Sequence, residues 1–484
     1  MIARGLALLL VPAILQAQGP SIQQIATATA VSTERLGVVS SVRELPDGRV
    51  LVNDMMRRRL LLMDSTLQVV GVVLDSVSAA SNNYGPQEGI LIPVRGDTTF
   101  FVDRQSYAIV VIDPAGRPVR VRSVWRVEDL RYLSPTMGNN GYPLGDPQGR
   151  VIYRMGARPE PPRVRPPPGT PWIPQEPDSA FIVAVDLETR KLDTLATLRT
   201  PHVETRVRRG GDRMFMIDRT TNPLPLTDEW AALPDGTVAI VRGREYRIDY
   251  LHPNGTRTSS GRIPYDWQRL TDEDKQRLVD STKVAQLRLN TNQYVSAMIR
   301  WVNQYNQLYP KNFKVPEAFE LQPGFPKDWI LPPGVAFPPN YIYACPPGVD
   351  RVAAMQGGNV QTGMPSCLPA PVSFSAGRLP PVPTPRPVFV SPPQDLPDYR
   401  PPFPPGSVRA DADGNLWVRT NPMKPTPGGP VFDVISPQGE LFTRLQLPVG
   451  YSIVGFGRGG VIYLTMRDAK GLHLARAQLK QDTP

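Results

Sequence analysis

The stretch Leu45-Pro46-Asp47-Gly48-Arg49-Val50-Leu51-Val52-Asn53-Asp54, followed by Leu60-Leu61-Leu62-Met63-Asp64, decides the fold. Proline presets φ for a tight turn, and glycine enters the left-handed region without steric cost. The two apolar runs after that turn, separated by a short loop, read as neighbouring strands of a meander. A second copy runs through Gly96-Asp97, Phe100-Phe101-Val102-Asp103, Ile109-Val110-Val111-Ile112-Asp113 and the turn Pro114-Ala115-Gly116-Arg117. In both copies the aspartates closing the two runs stand ten residues apart, at 54 and 64 and at 103 and 113.

Weaker copies open at Asp146-Pro147-Gln148-Gly149, Leu233-Pro234-Asp235-Gly236, Asp413-Gly414 and Gly459-Gly460. The turn positions 48, 97, 149, 236, 414 and 460 are therefore 49, 52, 87, 178 and 46 residues apart. A four-stranded propeller blade takes about 40–50 residues, so three intervals are plain blades and two carry insertions. The expected fold is all-β, a six-bladed β-propeller with a helical and proline-rich insertion between blades 4 and 5. Blades 1–4 fill 18–267, with a proline-rich loop at 157–177. The insertion fills 268–405, and blades 5–6 fill 406–484. The last unit has room for only three strands, and the alternating segment Ile25 to Val31 is expected to supply the fourth, leaving no open edge.

Proline supplies 57 of the 484 residues, which excludes a mainly helical protein. In the larger insertion Thr271 caps a helix opened by Asp272, Glu273 and Asp274. Leu278, Ala285 and Leu289 continue its stripe, and Val295, Met298, Ile299 and Val302 mark another, so two amphipathic helices are expected between 271 and 308. Residues 331–405 hold 21 prolines, which favours polyproline II or irregular wrapping. Their interleaved aromatics predict an arm lying on the propeller rather than a solvated linker.

Arg4, the apolar run Gly5 to Leu15 and Leu15-Gln16-Ala17 read as a signal peptide over 1–17, so the protein is expected to be exported, periplasmic or extracellular. No later run is long enough for a membrane span. Cys345 and Cys367, the only cysteines, are expected to form a disulfide in that compartment. The net charge is +10, with arginines outnumbering lysines about five to one. The basic clusters Arg57-Arg58-Arg59 and Arg206, Arg208-Arg209 are short and lack interleaved stacking aromatics, which argues against nucleic acid. Two cysteines and three scattered histidines cannot build a zinc site.

Val52-Asn53-Asp54, then Arg59-Leu60-Leu61-Leu62-Met63-Asp64 and Leu67, resembles the NHL repeat of six-bladed propellers, of the NHL and TolB-like type found in exported bacterial proteins. Asp54 matches the loop aspartate of that repeat, Arg59 its arginine, and Asp64 the close of its third strand. The second unit keeps Asp103 and Asp113 but has Ala108 at the arginine position. Asp413-Gly414-Asn415-Leu416-Trp417-Val418 is similar to the blade opening of NHL-like and gluconolactonase-like propellers. The resemblance implies ligand binding at one end of the central channel, or partner proteins across a rim.

Positions at the ends of the strands that follow the turns then become candidate ligand-binding residues: Asn53, Asp54, Asp103, Arg104, Arg154, Arg242 and Arg419, with Thr465 in the last blade. Such a ring suits a small anionic ligand, whereas Asp54 and Asp103 alternatively cap the turns that follow them. A gluconolactonase-like activity would imply calcium held by Glu, Asn and Asp, but arginines at three mouth positions oppose a cation. Lyase relatives of the resemblance depend on channel histidines, and no Gly-x-Ser-x-Gly elbow is present. The expectation is an exported, non-enzymatic binding or scaffold module for a protein or small anionic ligand, with no cofactor. A calcium-dependent lactonase-like hydrolase is the alternative, and catalytic residues are not identified.

Overall fold

The computed structural model of the chain describes residues 21–76, 83–135, 140–157, 177–209, 215–308, 387–421, 427–469 and 471–479. The signal segment, Cys345 and Cys367, and most of the loop at 157–177 and of the arm at 331–405 lie outside the described residues.

Each turn–strand unit grows into an antiparallel blade by recruiting the strand before its turn. Blade 1 is Val39–Glu44, Val50–Asp54, Arg59–Met63 and Val69–Asp75. Leu45 accepts the amide of Gly48 at 3.0 Å, and Gly48 sits at φ +82°, which its missing side chain permits. Blade 2 runs Gly89–Pro93, Thr99–Asp103, Ala108–Ile112 and Pro118–Ser123. Blade 3 holds Leu144–Gly145, Arg150–Gly156, Ser179–Asp186 and Leu192–Arg199, and blade 4 holds Glu229–Ala232, Val238–Arg242, Arg247–Leu251 and Arg257–Ser259. Val408–Ala410, Leu416–Arg419, Val431–Ile435 and Leu441–Gln446 make blade 5; Ser452–Phe456, Val461–Asp468 and Gly471–Gln478 begin blade 6. The protein is a six-bladed β-propeller, with the first strand of each blade nearest the axis.

Strand alternation buries both faces of a blade, because each face meets a different neighbour. Val50 and Val52 pack toward blade 6, while Leu51 between them packs toward blade 2. Val151 and Tyr153 likewise face blade 2, and Ile152 faces blade 4. Six apolar clusters result, one at every blade interface.

Ala30–Val31 pairs antiparallel with Gly471–Gln478 and completes blade 6, as the short last unit requires. The preceding Ile22–Gln24 adds a fifth, parallel strand to blade 5. Residues 22–31 therefore belong to blades 5 and 6 rather than to blades 1–4. A two-stranded sheet, Thr205–Arg209 with Phe215–Arg219, extends the connection between blades 3 and 4 and had no sequence signature.

The insertion opens with one helix, Asp272–Leu308, where two were expected. No proline or glycine interrupts those residues, so nothing stops the first helix before the second begins. Asp274 accepts the amide of Thr271, whose hydroxyl accepts the amide of Asp274, a reciprocal cap. The packed face carries Lys275 and Val279, while Ala285 and Leu289 are exposed, so the expected stripe is displaced. Among the described residues no helix is long and apolar enough to cross a membrane.

Where the chain returns, residues 387–407 form a strap against the propeller. Thr221 and Ser391 donate backbone bonds to Phe389 and Thr221, Lys275 pairs with Asp398 at 2.8 Å, and Phe403 is buried against Tyr246.

Candidate functional site

All seven candidate mouth residues lie toward one end of the ring, at or near the end of the second strand of blades 1–5. Asn53 is fully buried: its amide donates to Ser40 Oγ and the Gly89 carbonyl, and its Oδ1 accepts the Tyr84 hydroxyl. Asp54 accepts the backbone amides of Gly37, Val38 and Arg57. Asp103 accepts the Gln105 amide and the Ser106 hydroxyl at 2.6 Å. These three hold loops in place. Arg242 is clamped between Asp228 at 2.8 Å and Asp249 at 2.7 Å, Arg104 is half-buried, and Arg419 is exposed. Arg154 is buried in the field of Glu229, a residue the sequence reading did not single out.

At the opposite end, inside the turns, the axis widens into a cavity of about 490 Å³. Its walls come from the first strand of every blade and, in blades 2–6, from the residues just after it. Arg43, Asp97, Tyr142, Trp230, Arg409 and Phe456 contribute the chemistry. Asp97 joins three blades by pairing with Arg43 at 3.3 Å and Arg458 at 2.8 Å. Arg409 has a different environment. Its Cζ lies 3.9 Å from the ring centre of Tyr142 and 5.6 Å from that of Phe456, and its Nη1 donates to the Ile453 carbonyl. Among the described residues no carboxylate pairs with it. Burial pulls the Arg409 guanidinium below its ordinary range, against a smaller upward pull from Tyr142. Burial lowers Arg43 too, with Asp97 opposing and Arg458 adding to the shift.

Packing behind the wall fixes this arrangement. Trp417 holds Phe456 at 5.1 Å between ring centres and anchors its own indole N–H on Asp411 at 3.0 Å. Trp230 donates to the Asn140 carbonyl at 3.0 Å. Gly141 turns the chain at φ +77°, and a Cβ there would stand 2.7 Å from Trp230 Nε1, so glycine is required to bring Tyr142 over Arg409. A faint signal for these residues existed: Arg43 and Arg409 each lie five positions before a turn glycine, Gly48 and Gly414.

No family model matches the chain. No curated protein matches it either. Solved structures similar to it include a calcium-binding protein, regucalcin, from Agrobacterium tumefaciens, at 10% identity over 94% of this chain and 97% of that one, with a TM-score of 0.33. A luciferin-regenerating enzyme is 10% identical over 96% of each chain, with a TM-score of 0.32. A streptogramin B lyase is 8% identical over 48% of this chain and 72% of that one, with a TM-score of 0.25.

Calcium takes six to eight oxygen ligands. Among the described residues no group of three or more His, Cys, Asp or Glu is placed to hold a metal. Asp54 and Asp103 direct their carboxylates at loop amides and a hydroxyl, so the described donors do not fit the calcium that the gluconolactonase-like resemblance implies.

Glu229 yields a pH prediction. It accepts the Gly406 amide at 2.9 Å, and burial raises its carboxyl from 4.5 to about 7, against the pull of that amide and of Arg154. A folded value above the unfolded one favours the native state below 4.5, and that contribution is lost as pH climbs through about 7. The loss amounts to about 3 kcal/mol. Glu229→Gln should therefore gain stability relative to the parent by roughly that amount between about pH 5 and pH 8, read from urea midpoints. A difference that stays flat with pH would show that Glu229 titrates at its ordinary value.

Proposed function

We propose that this protein is an exported β-propeller that acts by binding rather than by catalysis, and that its ligand is a small anion held in the channel mouth inside the turns. The observation that carries this reading is Arg409, a half-buried cation on the cavity wall, stacked on Tyr142, with no carboxylate partner among the described residues. A cation held partly out of water gains from an opposite charge, and a bound anion would supply that partner. Pockets of about 300–1,000 Å³ with apolar walls and a few placed polar groups are the usual form of a small-molecule site.

The described histidines support binding over proton transfer. His252 bonds the hydroxyls of Thr237 and Thr258, and His473 bonds the Ser32 carbonyl inside blade 6. None of the three histidines lines the cavity. The alternative, a calcium-dependent lactonase-like hydrolase, has no donor set among the described residues.

Native mass spectrometry of the protein recovered from its own compartment tests the reading. A small anion should travel with the folded chain, be released on denaturation, and be lost from Ala412→Trp, which narrows the mouth. Near-stoichiometric calcium with hydrolysis of lactones would overturn it.

A further inference from the structure

The chemistry of the cavity wall narrows the ligand further, on the basis of the channel reading above. Arg409 uses Nη1 for the Ile453 carbonyl, while its Nε and Nη2 make no hydrogen bond among the described residues. That free edge is the one a carboxylate engages with two parallel N–H···O bonds. Elsewhere on the wall the Nε of Arg43 is buried without a hydrogen-bond partner, although its Nη2 is held by Asp97. Two guanidinium groups on one cavity thus retain unused donors.

The charge on the wall calls for an anion. Arg43 and Arg458 already share Asp97, and Asp411 is taken up by its own turn and by Trp417. With Arg95, four arginines face two carboxylates on the wall, a surplus of two positive charges, and Arg409 is the one stacked on two rings with no carboxylate partner among the described residues. A phosphate could meet that charge but carries no body to cover the rest of the wall. Apart from Ser41 and Arg95, the remainder of the wall is mostly apolar: Leu91, Pro143, Pro234, Val454 and the rings of Tyr142 and Phe456. A planar apolar body would continue the stack that Tyr142 and Phe456 make on the guanidinium.

We propose that the channel mouth binds a monocarboxylate carried on a flat, apolar body, with the carboxylate on the Nε–Nη2 edge of Arg409 and the body against Tyr142 and Phe456.

Isothermal calorimetry on the full chain, cleared of co-purifying ligand, tests this with three probes: 2-naphthoate, its neutral counterpart 2-naphthalenemethanol, and inorganic phosphate. Naphthoate should bind, the alcohol about tenfold or more weaker, and phosphate without measurable heat. Arg409→Met should weaken naphthoate by about tenfold or more and leave the alcohol unchanged. Arg409→Lys, which keeps the charge and can still reach the Ile453 carbonyl, should fall between the two because it lacks the planar fork. If Arg409→Met does not fold, the lysine variant and the acid–alcohol comparison in the parent decide. Equal binding of acid and alcohol, or phosphate binding as tightly as naphthoate, would overturn the carboxylate assignment while leaving channel binding in place. Failure of all three probes would overturn both.

Discussion

Deleting residues 21–36 is expected to lower the stability of the propeller by about 5 kcal/mol, a third or more of what holds a typical domain. The segment closes the ring. Thr29, Ser32 and Leu36 donate backbone bonds to Arg476, Leu474 and Leu472 at 2.7, 2.8 and 2.9 Å. Ser32 Oγ accepts the Leu474 amide, and His473 Nδ1 bonds the Ser32 carbonyl, both at 2.9 Å. Each such bond contributes about 0.5–1.5 kcal/mol net, and burial of Leu36 between blades 1 and 6 adds about 1.5–3. The deletion would also turn Gly471–Gln478 into an exposed edge open to pairing with another chain. Urea unfolding should show an early midpoint for the truncated chain, and light scattering should show association. Leu36→Ala alone should cost about 2–5 kcal/mol. A truncated chain with the parental midpoint would mean that blade 6 is stable with three strands.

Asp433→Ala should cost about 3–5 kcal/mol. Asp433 is 1% exposed and joins blades 4 and 5. It accepts the Tyr246 hydroxyl at 2.7 Å and Arg444 Nε at 3.0 Å, while Arg444 also donates to the Pro264 carbonyl. Burial raises both the Asp433 carboxyl and, strongly, the Tyr246 hydroxyl, with Arg444 opposing each. The group to fear losing is the carboxylate, because alanine leaves a guanidinium and a phenol without their acceptor. Asp433→Asn keeps an acceptor for Tyr246 and should cost roughly half as much. Denaturation midpoints for the two variants at neutral pH provide the check. A loss below about 1 kcal/mol for alanine would mean that water replaces the carboxylate.

Proline content and turn chemistry carried most of the fold into view. The Pro-Asp-Gly turns and the short apolar runs after them are local features, and their hydrogen bonds close within a few residues, as in Leu45 with Gly48 and Asp64 with Thr66. Six such units therefore specified six blades before any long-range contact was known. The missing strand of the last unit required a partner from the other end of the chain, and Ala30–Val31 supplies it. The helix ran on past its expected break because no residue between 272 and 308 disfavours it strongly enough to end it.

The candidate site was far less legible. Units counted from their turns begin at the second strand, so the first strands, which line the channel, fell outside the pattern. Leu144–Gly145 is two residues long and Val408–Ala410 three, too short for alternation to register. Asn53, Asp54 and Asp103 have the residue types of a ligand site, yet their partners are loop amides, hydroxyls, a carbonyl and, for Asp54, the Arg59 guanidinium. The turn-capping alternative was already open on residue type, and the fold adds the loop amides that Asp54 and Asp103 accept. The pairing of Arg409 with Tyr142 and Phe456 draws on blade 5, the segment entering blade 3, and blade 6. Turn and strand preferences are properties of neighbouring residues and so stand in the chain itself. A guanidinium comes to lie on a cavity wall against two rings, with no carboxylate partner among the described residues, only when distant blades close around one axis.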